Sequence, residues 1–168
     1  MNPITIRPAT VADVPFLWDM LYEAAIGAPE LRALSKAEVL RSPGTARYLD
    51  GWGRAGDAGV IAEDPDGGRI GAAWYRIFQP AERGAGIVAL PRTPELAIGV
   101  HADHRGRGIG SDLLATLIRR ARDAGYAHLM LSVDPTNPAV HRYERHGFRS
   151  RGLEDPASGT SLIMQLGL

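Results

Sequence analysis

Cysteine is absent from this chain of 168 residues. That absence rules out disulfides, a thiol nucleophile and thiolate metal sites. An excess of charge is missing too: 19 basic residues balance 19 acidic ones, for a formal net charge of zero. A nucleic-acid-binding surface draws on a basic excess, so none is expected, and no anionic membrane is expected as a partner either. No apolar run approaches the ~18 residues of a membrane span. The opening Met1-Asn2-Pro3-Ile4-Thr5 lacks the apolar stretch of a secretory signal. Internal repeats, low-complexity tracts and linkers are also lacking. One domain over residues 1–168 is therefore expected, long enough for a full core. These absences fit a soluble cytoplasmic protein.

The informative residues lie in the second half. Arg105-Gly106-Arg107-Gly108-Ile109-Gly110 follows an extended apolar run, Leu96-Ala97-Ile98-Gly99-Val100, and precedes a helical stretch from Ser111 to Ala124. A strand that turns through alternating glycines into a helix makes an anion cradle. Glycine lets the backbone approach a phosphate and adopt positive φ. The first free N–H groups of the helix point at the anion, and the helix dipole favours its charge. Arg105 and Arg107 add cationic donors. The spacing is not that of a dinucleotide fingerprint, because Ser111 stands where a third spaced glycine is needed. No Gly-Lys-Ser/Thr is present, which excludes a P-loop. A glycine-rich connector without a ligand is the plain alternative.

Around this motif the pattern alternates between short strands and helices. Ile4 to Arg7 reads as a strand. Thr10, with Asp13 three residues on, opens a helix from about Val11 to Ala25, with Val14, Leu17, Trp18, Leu21 and Tyr22 as its apolar stripe. Ser35-Lys36-Ala37-Glu38 is a capping box for a second helix, which Pro43-Gly44 ends, and Ala46 to Trp52 suits another turn or two. Gly59 to Ala62 and Arg69 to Phe78 form a hairpin across Asp64-Pro65-Asp66-Gly67-Gly68. Residues 79–94 read as a loop. Strands 95–101, 127–133, 147–152 and 160–166 and helices 108–124 and 138–146 complete the chain. An antiparallel start followed by a βαβ unit predicts a mixed α/β fold, with helices on the faces of the sheet.

A second segment gives the first its meaning: Asn137-Pro138-Ala139-Val140-His141-Arg142-Tyr143-Glu144-Arg145-His146-Gly147-Phe148. In this order the two segments resemble the GCN5-related N-acetyltransferase (GNAT) superfamily. Val100 to Gly110 matches its V-x-x-x-x-R-G-x-G-x-G motif, and residues 137–148 match N-P-A-x-x-x-Y-x-x-x-G-F. Ala102 departs from a frequent proline. The resemblance is strong over residues 93–150 and weak before about residue 55. It implies a twisted, mixed sheet of six to seven strands, splayed between strands 95–101 and 127–133. It also implies acetyl-CoA as co-substrate, transfer of acetyl to a primary amine within a ternary complex, and homodimers as one form of assembly.

The same resemblance implies roles. Ile98, Val100, Arg105, Gly106, Arg107, Gly108, Ile109, Gly110, Ser111 and Asn137 would bind the cofactor, and an N–H near Val100 would polarise the thioester carbonyl. Tyr143 would protonate the departing thiolate; a phenol with a pKa near ~10 suits that step. Asn137 serves equally well as a helix cap before Pro138. Glu95 is the candidate base, although alternation places its side chain with Ala97 and Gly99 rather than with Val100. His101, His104 or a water chain are the other routes for the amine proton. Gly99, inside a strand, signals either a bulge or a close backbone approach. The acceptor would be held by residues 11–55 and 74–94, where Trp18, Tyr22, Trp52, Trp74 and Tyr75 cluster and Glu23, Glu30 and Asp50 supply carboxylates. A small-molecule amine is the first expectation for the acceptor. Acetylation of a protein N-terminus or lysine is the second, and a non-catalytic acyl-CoA-binding module is the third. No metal is expected.

Overall fold

The structure, a computed structural model, describes residues 3–82, 91–153 and 161–168. Part of the expected loop 79–94 and the expected start of the last strand at Thr160 lie outside these residues. Seven strands form one sheet in the order β1-β2-β3-β4-β5-β7-β6. They are β1 (Thr5–Pro8), β2 (Ala58–Glu63), β3 (Arg69–Arg76), β4 (Glu95–Val100), β5 (His128–Val133), β6 (Arg149–Leu153) and β7 (Leu162–Gly167). All neighbours pair antiparallel except β4 and β5, which are parallel. The mixed α/β architecture expected from the sequence is therefore present.

The helices are α1 (Val14–Ala25), α2 (Lys36–Arg41), α3 (Pro43–Ala46), α4 (Ile109–Asp123) and α5 (Ala139–Arg145). A single 3₁₀ turn, Val11–Asp13, precedes α1. There the Asp13 carboxylate accepts from the Thr10 N–H at 2.8 Å and from both terminal nitrogens of Arg7 at 2.8 and 2.9 Å. Arg7 holds the Asp13 carboxyl well below the usual carboxylate range. The Ser35 box caps α2 as the sequence predicts: Ser35 Oγ accepts from the Glu38 N–H, and Glu38 accepts from the Ser35 N–H. Pro43 does more than end α2. It occupies the first turn of α3, where its missing N–H costs no helical bond.

The two faces of the sheet carry separate cores. Leu17, Met20 and Leu21 of α1 pack with Leu49, Ile61, Ala72 and Trp74 on one face. Leu113, Leu114, Leu117 and Ala121 of α4 pack with Ile98, Leu129, Leu131 and Phe148 on the other. Trp18 and Tyr22, expected in the α1 stripe, are only half-buried, and Met20 takes the central place. A buried ion pair fastens the segment between α3 and β2 to β3. Arg76 Nη2 lies 2.7 Å from Asp57 Oδ2, and Arg76 Nη1 donates to the carbonyls of Arg47 and Asp50. Both side chains are fully enclosed, so these hydrogen bonds are what makes burial of the pair tolerable.

Candidate active site

The site begins with a sheet that fails to close. β3 and β4 pair over six consecutive residues, Gly71↔Val100 to Arg76↔Glu95, with no shift of register. On its other side β4 meets β5 at one position, Glu95↔Met130, backed by a 3.0 Å bond from the Met130 N–H to the Pro94 carbonyl. Beyond that point the strands diverge. The His101 N–H bonds to the Ile70 carbonyl in the β3 direction. Alternation therefore turns the N–H and C=O groups of Leu96, Ile98 and Val100 toward the opening. The splay expected between these strands is present, and its free edge is a ready partner for an extended amide-bearing chain.

Gly99 is not a bulge. The unbroken register excludes one, and the glycine serves the other reading, close approach. A Cβ at Gly99 would lie 2.1 Å from the Met20 carbonyl oxygen of α1. This contact seats α1 across β4 and brings the end of the helix and the residues after it, Leu21 and Glu23 to Gly27, into the wall of a cavity of about 640 Å³. The remaining wall includes Thr45, Tyr48, Leu96 to Val100, Arg105, Leu131 to Asp134, Asn137, Arg142 and Tyr143.

The glycine turn follows Arg105, which lines this cavity. Gly106 and Gly108 have φ of +73° and +82°, the left-handed conformation that glycine adopts without strain. Gly108 is the N-cap of α4, so the N–H groups of Ile109, Gly110 and Ser111 have no partner within the helix. The Ile109 side chain is a core residue, buried under the sheet; only its backbone can reach a ligand. Arg105 is half-exposed and already engaged. Its Nε donates to the Val100 carbonyl at 3.2 Å, and Nη2 pairs with Glu23 of α1. Arg107 is exposed at the rim. Of the ten residues expected to bind cofactor, Ile98, Val100, Arg105 and Asn137 line the cavity. The other six, Gly106 to Ser111, form the turn beside it.

α5 supplies the opposite wall. Gly147, at φ +94°, ends the helix, and the Phe148 N–H turns back to the Tyr143 carbonyl at 3.1 Å. This αL cap drops Phe148 into the core, edge-on to the Tyr143 ring at 5.9 Å. The Gly-Phe pair thus fixes the tyrosine. Tyr143 is buried yet forms part of the cavity wall. Burial pushes its phenol pKa up, with the Arg142 charge opposing, so the hydroxyl keeps its proton at neutral pH. Asn137 serves as the helix cap: its Oδ1 accepts from the Ala139 N–H at 2.9 Å. Its Nδ2 faces Gly27, where an added Cβ would sit only 2.5 Å away. Arg142 went unnoticed in the sequence. Its guanidinium covers Gly110, 2.7 Å from where a Cβ would stand. A cation beside a helix N-terminus opposes the dipole, so an anion between them would be favoured.

The acceptor side differs from expectation. None of Trp18, Tyr22, Trp52, Trp74 or Tyr75 lines the cavity. Trp74 is enclosed on the α1 face, with Nε1 donating to the Tyr48 carbonyl. Tyr75 points to the other face, against Tyr126. The aromatic rings that do line the cavity are Tyr143 and Tyr48. Glu23 is the one expected carboxylate in the wall, while Glu30 and Asp50 are exposed outside it. Glu95 is 3% exposed and is not part of the wall. Its carboxylate accepts a hydrogen bond from the Tyr48 hydroxyl, and Tyr48 is itself part of the wall. His101 is exposed and His104 half-exposed; their rings are edge-on at 6.4 Å.

Comparison with known proteins matches this geometry. The model of the acetyltransferase (GNAT) family matches residues 18–148. The L-methionine sulfoximine/L-methionine sulfone acetyltransferase of Pseudomonas paraeruginosa is 30% identical over 149 residues, which cover 88% of this chain and 81% of that protein. The ribosomal-protein-alanine N-acetyltransferase of Brucella melitensis superposes with a TM-score of 0.69 at 28% identity, covering 98% and 99% of the two chains. A phosphinothricin acetyltransferase from Sinorhizobium meliloti, solved with acetyl-CoA, has the same fold: TM-score 0.72, 24% identity, and coverage of 99% and 89%.

Proposed function

This chain belongs to the acetyltransferase (GNAT) family and is an acetyl-CoA-dependent N-acetyltransferase; we propose that its acceptor is the primary amine of a small molecule, held in the cavity between the end of α1 and α5. The observation that carries this reading is the cavity itself. Its volume of about 640 Å³ falls within the ~300–1,000 Å³ typical of small-ligand sites. The relative from Pseudomonas paraeruginosa acts on L-methionine sulfoximine and L-methionine sulfone, which are small molecules. The Brucella melitensis enzyme acts on a ribosomal protein, which keeps a protein N-terminus as the second reading. A cytoplasmic setting, without nucleic acid or membrane as partner, belongs to the same proposal.

The residues present fit the co-substrate. The left-handed Gly106 and Gly108 and the open first turn of α4 suit a pyrophosphate, and Arg107 and Arg142 flank that turn with cationic donors. The edge of β4 offers the groups of Ile98 and Val100 to an amide-bearing arm. When bound, acetyl-CoA supplies an activated thioester. The Val100 N–H would donate to its carbonyl oxygen, where negative charge develops. Tyr143 would give its Oη proton to the departing sulfur, and nearby Arg142 favours the phenolate that remains. Asn137 would brace the wall beside Gly27 while capping α5. Glu95, hydrogen-bonded to the Tyr48 hydroxyl of the wall, would be the final sink for the amine proton.

The test is turnover. The purified chain, given acetyl-CoA, should release coenzyme A with members of a panel of small primary amines that includes methionine sulfone, and should act poorly on peptides with free N-termini. Turnover on peptides alone would transfer the proposal to the second reading. Acetyl-CoA binding without turnover on any acceptor would make the chain a binding module.

A further inference from the structure

Resting on the acetyl-transfer reading above, we propose that Tyr48 is the catalytic group that takes the proton from the acceptor amine, and that Glu95 acts only through it. Three observations lead there. Glu95 is 3% exposed and outside the cavity wall, so it cannot touch an acceptor in this arrangement. Tyr48 is half-buried and in the wall. The hydrogen bond between them joins Tyr48 Oη to Glu95 Oε1, so a proton arriving at the phenol oxygen has a path to a carboxylate.

The phenol is held in position from several directions. The Tyr48 carbonyl accepts from Trp74 Nε1 at 3.2 Å. Its ring meets Phe78 edge-on at 5.1 Å, and the Arg47 guanidinium stands 5.2 Å from its centre. The first bond fixes the backbone of Tyr48, and the ring cannot swing away from Glu95 without losing the Phe78 and Arg47 contacts. Glu95 lies at the one point where β4 and β5 still pair, so the carboxylate sits at the apex of the splay, on rigid backbone.

The steps balance as follows. An ammonium acceptor has no lone pair. One N–H bond breaks as its proton moves to Tyr48 Oη while the phenol's own proton moves to Glu95 Oε1, leaving a neutral phenol and a neutral carboxylic acid. The freed pair forms the C–N bond to the acetyl carbon. The C–S bond breaks with its pair on sulfur, which takes the Tyr143 proton. The nitrogen loses its second proton to solvent, from which Tyr143 is reprotonated, and Glu95 returns its proton to solvent. The net result is an amide, a thiol and one released proton.

Two variants test the relay. Tyr48→Phe keeps the ring and removes the path; Glu95→Gln keeps a hydrogen-bond partner and removes the proton sink. On an amine that the parent acetylates, each should lower kcat/KM by about 10²-fold at neutral pH, the lower end for loss of a general base. Acetyl-CoA affinity should stay unchanged by calorimetry. In both variants the rising limb of kcat/KM against pH should move up to the acceptor's own amine pKa, so that high pH restores the rate. The double variant should be no slower than either single one, because the two groups act in series. A readout without turnover accompanies this. In the free protein with ring-labelled tyrosine, the Tyr48 resonance should follow the titration of Glu95 and lose that step in Glu95→Gln. A Tyr48→Phe enzyme with the parent's pH profile would overturn the relay while leaving the acetyl-transfer reading intact. A slow variant whose profile is unshifted would show a packing role and overturn it equally. Absence of turnover on any amine by the parent would overturn both readings together.

Discussion

Gly99→Ala is the sharpest structural perturbation available, because it adds one methyl group where α1 crosses β4. The new Cβ would stand 2.1 Å from the Met20 carbonyl oxygen and 2.8 Å from its carbonyl carbon. Those are backbone atoms in the middle of a helix, so no side-chain rotation relieves the clash. Restoring contact distances requires α1 to shift outward by roughly 1 Å or more along its length, loosening the packing of Leu17, Met20 and Leu21. Overpacking of this kind costs about 1–3 kcal/mol and occasionally more; a fixed backbone obstacle puts this case near ~3 kcal/mol. For a chain of this size that corresponds to a fall in Tm of about 6–12 °C. Acetyl-CoA affinity should fall with it, because α1 also carries Glu23, the partner of Arg105. Thermal unfolding and calorimetry on the same samples measure both. Gly44→Ala is the control: nothing lies within 4 Å of its added Cβ, and it should melt with the parent or slightly above it. A Gly99→Ala protein that melts within a degree of the parent would refute the claim that close approach is why glycine stands there.

Two further outcomes follow from the same geometry. Gly108→Val forces a β-branched residue into φ +82° at the start of α4, and it should weaken acetyl-CoA binding at least ~10-fold, about 1.4 kcal/mol, with calorimetry as the check. Asp13→Asn should cost about 2 kcal/mol near neutral pH, the scale of a buried charge-assisted hydrogen bond. Because Arg7 lowers the Asp13 pKa in the folded state, its contribution is present above the unfolded carboxyl value of about 4 and fades as pH falls below it. The gap in melting temperature between parent and variant should therefore hold steady from pH 7 to about 5 and narrow progressively as pH falls below about 4, and a gap that stays constant down to about pH 2 would show that the ion pair is not the source.

The cofactor side of the site was legible because its chemistry is local. The glycine turn, the start of α4 and the Gly147-Phe148 cap each lie within a few consecutive residues, so spacing alone carried their geometry. The acceptor side was not legible. Tyr48 and Glu95 are 47 positions apart, and only the seating of the α3–β2 segment on β3, through Arg76 and Asp57, brings them together. Strand parity correctly placed Glu95 with Ala97 and Gly99, but it could not reveal that a phenol covers the carboxylate. Gly99 left two readings open because a bulge and a crossing helix both call for glycine, and the β3–β4 register decides between them. The sequence groups Trp74 and Tyr75 among the acceptor walls. They are consecutive on a strand, so they must face opposite sides of the sheet, and both entered cores instead. Arg142 carries no sequence signal of its own, because its place over Gly110 depends on how α5 packs against α4.

Proton donation from Tyr143 to sulfur is the central step of the proposed reaction, and Tyr143→Phe measures it directly. The ring and its edge contact with Phe148 remain, so acetyl-CoA should bind as in the parent while kcat falls by about 10²-fold, the scale of losing a general acid. Full turnover on an acceptor used by the parent would contradict the assignment, and the proton would then have to come from elsewhere in the cavity.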